Sequence, residues 1–422
     1  MTPEKIEKLF WLALFSWFLL RSLLLGCQYI GNADPAATGE LLKFFTQTDI
    51  DAGRAYALKG FWFRAIYGVV FVAILVVLVK SGLANTLWQR VSLICGPGIL
   101  RADLAFIIVF LLIVQLLSFP SDLYFGHWRE TESGFSTVGF GGWFLKYLKS
   151  LVIGVGFETA GFLLLLTVMR WLPERWPLLL PLAMGGFALA ITLLAPMIIT
   201  PLFYEQKPLE AGPFRERLLE MAARAGMAVN EIYVIDESRY SKHTNAYFTG
   251  VGRFRRIVLY DNLIKSHTPD EAALIFAHEA GHWQYNHVAW GLALGVSGML
   301  LAGLLYQRLF PGFAAVSWFG LGDVSAAQNL PFLLLMATIL QLFTVPFESQ
   351  ISQIMERQAD RVSLELTGLR SVYQDAQVRL ARDNRSDLLP HPLRVFWLYS
   401  HPPAIERIKA AEQYEPIENK SR

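Results

Sequence analysis

His278 and His282, with Glu279 directly after the first, are the residues of this 422-residue chain best placed to do chemistry. On a helix, positions i and i+4 share a face. Both imidazoles can then reach one divalent cation, while Glu279, one position on, can take a proton from a water beside it. On these five residues alone the alternative is a pair of ordinary helix histidines. A hydrolytic metal centre needs a third protein ligand and a position left open for water. Downstream, Glu356-Arg357-Gln358-Ala359-Asp360 offers two carboxylates at the same i,i+4 spacing. Glu356 is assigned as the third ligand, and Asp360 as the group that hydrogen-bonds a ligand histidine and sets its tautomer. Standing alone, that pair would also suit a solvated helix face shared with Arg357 and Arg361. Position favours ligation, because both pairs abut apolar segments that fall on one side of a membrane.

The elements that must position these residues are largely lipid-facing. Hydrophobic residues make up 54% of the chain and charged residues 17%, where a soluble domain carries about 25% charged. Mean hydropathy is +0.38. Apolar runs near the ~20 residues of a spanning helix occupy about Phe10–Ile30, Ala65–Leu83, Leu104–Phe119, Leu151–Met169, Leu178–Ile199, Val288–Phe310 and Leu330–Phe347. The first is too long for a cleaved signal peptide and stays as an anchor, though Arg21 interrupts it. Pro120 ends the third and Pro201 closes the fifth.

Five spans therefore fill residues 1–204, and residues 205–422 form a second region carrying the last two. Within it, 214–225 reads as an amphipathic helix, 231–235 and 256–260 as short strands, and Asp270 as the cap of a helix beginning near Glu271. The fold class is mainly α and polytopic, with an α+β unit attached. Seven spans put 205–286 and the C-terminal region on the same face, so the His and Glu pairs can meet. Basic residues in the short loops are nearly balanced between the faces and lean to a cytoplasmic catalytic face. A net charge of +2 gives no reason to expect nucleic acid. Cys27 and Cys95 are too few and too distant for a disulfide framework.

At this point the chain resembles the type I CAAX prenyl proteases, integral-membrane zinc endopeptidases. His278–His287 (HEAGHWQYNH) is similar to that family's His-Glu-x-x-His-Trp run ending in a further His. Ser352–Asp360 (SQIMERQAD), Asn245–Gly250 (NAYFTG), Ile257–Asp261 (IVLYD) and Ser400–Ile408 (SHPPAIERI) resemble four more of its segments. Gln353 departs from the family's usual Arg, which puts a structural ion pair in doubt.

The resemblance implies a helical barrel around a large water-filled chamber, capped by a gluzincin-like zinc metallopeptidase unit binding one Zn²⁺. It implies that Asn245, Ala246 and Tyr247 belong to an edge strand that pairs with the substrate backbone, with a plain turn as the alternative. It places His401 and Arg407 near the metal, one of them holding the oxyanion or a substrate carboxylate, with Glu279 as base. The substrate it implies is a protein or peptide cut just after a prenylated Cys. The membrane is bacterial inner membrane, or endoplasmic reticulum in a eukaryote. Glu158 and Arg21 inside spans either line the chamber or pair with neighbouring helices. His287 is either a neighbour of a ligand or a solvated helix position. His127, His243, His267 and His391 are given no metal role. A broad-specificity protease clearing faulty membrane proteins would use the same site. A non-enzymatic transporter or scaffold is the alternative from another class, but no internal repeat is visible.

Overall fold

The computed structural model describes residues 2–227, 229, 231–249 and 256–415. Gly250, the last residue of the NAYFTG segment, lies outside them. Among the described residues, seven helices are long and apolar enough to cross a membrane: Pro3–Ile30, Gln47–Lys80, Leu100–Glu132, Phe140–Trp171, Trp176–Phe203, His287–Ala314 and Ala327–Thr367. Each expected apolar run falls in one of them, save that the second helix ends at Lys80, three residues short of the expected Leu83. Their regular cores in the first half are α1 (Pro3–Ile30), α2 (Phe61–Lys80), α3 (Leu104–Leu123), α4 (Phe140–Trp171) and α5 (Trp176–Leu194).

Two ends expected at prolines lie further on. Pro120 is inside α3, which passes into a wide π-helical turn at Tyr124–Trp128. Proline lacks an N–H and crowds the preceding turn, and a wider turn nearby can absorb that mismatch. Pro201 opens a last helical turn, Thr200–Phe203, after a similar π-helical stretch at Ala195–Ile199. The wider turn before it accommodates the missing N–H, as at Pro120.

The mixed unit contains β1 (Gln206–Pro208), α6 (Pro213–Arg224), β2 (Ile232–Ile235), β3 (Ala246–Thr249), β4 (Arg256–Tyr260) and α7 (Pro269–Gln284). The sheet order is β1-β2-β4-β3, with β2 and β4 parallel and both outer strands antiparallel to their neighbours. β1 was not expected: Gln206-Lys207-Pro208 has no β-branched residue, and it is extended because it pairs with Tyr233–Ile235. One face of α6 (Leu218, Met221, Ala222) and one face of α7 (Ala273, Phe276, Ala277, Ala280) meet Ile232, Ile257 and Leu259 in a single buried core.

The cap of α7 is Thr268, not Asp270. Thr268 Oγ1 accepts from the Glu271 N–H at 3.2 Å and Glu271 Oε2 accepts from the Thr268 N–H at 2.8 Å. Pro269 supplies the preset first position. Beyond α7 come α8 (His287–Ala314), α9 (Leu330–Thr367), α10 (Arg370–Asp383), α11 (Pro392–Leu398) and α12 (Ala404–Glu412). α9 is one helix of 38 residues running through Pro346. The seventh span and the Glu356–Asp360 pair are therefore parts of a single rod.

Glycines let the membrane helices close up, as small residues do in bilayers. A Cβ on Gly185 of α5 would come within 2.6 Å of Val296 on α8, and one on Gly303 of α8 within 3.4 Å of Trp176. A cavity of about 800 Å³ lies among α1, α4, α5, α8 and α9. Its lining (Phe157, Leu180, Met184 and Met336 among others) is apolar or aromatic except for Glu158. Arg21, by contrast, donates to the Arg64 carbonyl and covers the Trp17 ring. It ties α1 to α2, so the two intramembrane charges have different surroundings.

Candidate active site

Helices α7 and α9 meet at Gly281. A Cβ there would stand 2.7 Å from Ala359 Cα, so only glycine allows this approach. Buried Ser363 adds a 2.7 Å hydrogen bond to the Leu274 carbonyl one step along the contact. The closeness brings the His face of α7 against the Glu356–Asp360 face of α9.

There the donor atoms converge. His278 Nε2 and His282 Nε2 are 3.2 Å apart. Glu356 Oε2 is 3.2 Å from His278 Nε2, and Oε1 is 3.4 Å from His282 Nε2. Glu356 is 5% exposed. The nearest side-chain donor atoms of Glu279, His278 and His282 lie within 4.8 Å of one another. His278 Nδ1 stands 2.9 Å from Asp360 Oδ1, in a contact too bent for a straight hydrogen bond. Asp360 is gripped in turn by Arg407, whose Nε donates to Oδ2 at 2.9 Å while Nη2 donates to Oδ1. Arg407 thus reaches the site through Asp360. His401 faces it directly, with Nε2 at 3.4 Å from Glu356 Oε1.

Burial sets the protonation of the base. It pushes the Glu279 carboxyl up to about 7, with His278 pulling down and Glu356 pushing up. Burial and the positive side of His278 push His282 down to about 4.

The sheet presents β3 to this centre. The Asn245 carbonyl accepts from the Tyr260 N–H at 3.0 Å. Main-chain groups alternate along a strand, so Asn245 and Tyr247 turn theirs toward β4 while Ala246 and Phe248 turn theirs to the outer edge. The Phe248 N–H reaches the Glu279 carboxylate. Asn245 Oδ1 accepts from the Ala246 N–H at 2.9 Å.

Two residues not singled out as ligands or bases hold this arrangement. Gln353 donates to the carbonyls of Val395 (3.0 Å) and Tyr399 (2.9 Å), fastening the loop that carries His401 beneath α9. At Gln353, where the resemblance leads one to expect Arg, two amide hydrogen bonds are made. His287 is buried against His282, not solvated. His243, by contrast, hydrogen-bonds Glu130 (2.9 Å) and Asn384 (2.9 Å), and joins the membrane region to the mixed unit.

Residues 208–415 match the model of peptidase family M48, and residues 31–205 match that of the CAAX prenyl protease N-terminal region of five membrane helices. The chain belongs to the type I CAAX prenyl protease family. It is an integral, multi-pass membrane metalloprotease. CAAX prenyl protease 1 of Saccharomyces cerevisiae is 29% identical over 377 residues, covering 82% of each chain. The metalloprotease YhfN of Bacillus subtilis is 28% identical over 412 residues, covering 95% of this chain and 93% of its own. The crystal structure of S. mikatae Ste24p is 25% identical with a TM-score of 0.81, over 97% of this chain and 99% of that one.

A metalloprotease of this family needs a cation, and the donor set suits one. A tetrahedral ion with bonds of ~2.0–2.1 Å keeps its ligand atoms roughly 3.3–3.4 Å apart, which is the spacing seen here. Glu356 Oε2 is buried without a hydrogen-bond partner among the described residues. An acceptor left so beside two ring nitrogens is costly unless a cation compensates it.

Proposed function

We propose that this protein is a zinc-dependent endopeptidase that removes the residues following a prenylated Cys, with 205–422 as its catalytic region and 1–204 as its membrane frame. His278, His282 and Glu356 would hold the metal and Asp360 would orient His278. The convergence of these donors from two membrane-abutting helices carries the reading. The name of the Saccharomyces cerevisiae relative supports the substrate class.

Zinc, when bound, would polarise the scissile carbonyl and make water acidic near neutral pH. The protein's own groups do the rest. Ala246 and Phe248, at the sheet edge, offer their outward carbonyls to the substrate main chain and lay it across the site. Glu279, with its raised pKa, takes the proton of the attacking water and delivers it to the leaving amine. His401 donates to the oxyanion. Arg407 acts one step removed, by holding Asp360.

Replacing Glu279 with Gln should leave metal content unchanged while cleavage falls by at least ~10³-fold, since removing the base leaves binding intact. Retained cleavage would remove Glu279 from the mechanism. Substrate class is read from a prenylated peptide and its unprenylated twin. A lower KM for the prenylated form is expected, and equal kcat/KM would favour a general membrane protease.

A further inference from the structure

We propose that His287 and Gln358 are positioning residues, forming a relay that locks His282 in its metal-binding tautomer, with the direction set by the Gln358 amide oxygen. The inference rests on the reading of His282 as a ligand.

His287 Nε2 lies 2.9 Å from Gln358 Oε1. With the Gln358 amide assigned so that its oxygen faces His287, that oxygen accepts, and a neutral His287 carries its proton on Nε2 and a lone pair on Nδ1. That lone pair is 2.8 Å from His282 Nδ1, so His282 Nδ1–H donates to it. The remaining nitrogen of His282, Nε2, then keeps its lone pair, turned into the space it shares with His278 Nε2 at 3.2 Å and Glu356 Oε1 at 3.4 Å. Each step follows from the one before.

The relay has two ordered states, and one residue chooses between them. A donor in place of the Gln358 oxygen would move the His287 proton to Nδ1. His282 would then accept at Nδ1 and carry its proton on Nε2, where the metal needs a lone pair. The geometry is braced on both sides. Asn286, in the left-handed region at φ 54°, turns the chain between α7 and α8 so that His287 folds back toward His282. Asn tolerates that conformation better than most residues. The Tyr285 ring stacks on His287 with centroids 5.8 Å apart. The relay joins the start of one membrane helix, α8, to the extension of another, α9, through the site between them.

The test uses the full-length chain in lipid nanodiscs, with Zn²⁺ affinity from chelator competition and Co²⁺ absorption as a ligand-field signature. Gln358→Glu, which can only accept, should keep wild-type affinity and spectrum. Gln358→Lys, which can only donate, should weaken Zn²⁺ binding ~10–100-fold, as loss of a ligand's hydrogen-bond partner does, and should alter the Co²⁺ bands. His287→Leu, which removes the acceptor, should lose about tenfold and serves if the lysine variant misfolds. If His282→Ala abolishes binding but Gln358→Lys or His287→Leu binds like wild type, the relay is overturned. If His282→Ala itself binds like wild type, it is the ligand assignment that fails.

Discussion

Burial opposes a charge on His278, yet its contacts with Asp360 and Glu356 hold its pKa up at about 9 in the metal-free protein. A group raised above its unfolded value of ~6.5 stabilises the fold below that value and loses the effect as pH rises through its folded pKa. Metal-free protein should therefore lose thermal stability between about pH 6.5 and 9, and His278→Gln should flatten that decline. Below this window the raised Glu279 and the lowered His282 act in opposite senses, so no clean slope is expected there. Metal uptake near neutral pH should release a proton, measurable by calorimetry in buffers of different ionisation enthalpy. An uptake without proton release would contradict the protonation of His278. At this scale the histidine pair and Glu279 were legible because their spacing has few other uses. Glu356 and Asp360 were legible only by position beside a span. Gln353 and Gln358 were not legible, because an amide declares neither its direction nor its partner until both are in space.

Among elements, the meeting of α7 and α9 decides the ligand geometry, and Gly281 permits it. Gly281→Ala puts a Cβ 2.7 Å from Ala359 Cα. Overpacking of this kind costs about 1–3 kcal/mol. The separation forced on the helices should weaken metal binding as well as stability. A variant with unchanged metal affinity would show that the contact does not set the ligands. The spanning helices, α6, α7, two of the four strands and the edge strand β3 could be anticipated from periodicity, β-branching and resemblance. β1 could not, since only its partner makes it a strand. The cap at Thr268 was missed because Asp270 is an equally good cap by type. Thr268 prevails because Pro269 fits the first helical position and Glu271 completes the reciprocal bonds. The continuity of α9 was hidden by Pro346 and by the change from apolar to polar residues there.

Across the whole molecule, seven spans and their shared face followed from hydropathy alone, because a bilayer demands long apolar helices. The cavity did not, since it depends on how five helices pack. Its lining on α9 ends at Phe343, and at 1.5 Å per residue that leaves about 20 Å of helix before Glu356. Filling it with Ala302→Phe should change thermal stability and leave metal stoichiometry untouched. A loss of metal would mean that the two regions are coupled. The central claim is that His278, His282 and Glu356 bind a single ion, and its most direct test is elemental analysis of the wild type and Glu356→Gln after dialysis against a weak chelator. The account predicts one metal per wild-type chain and almost none in the folded variant; a folded variant that keeps a full equivalent would contradict it.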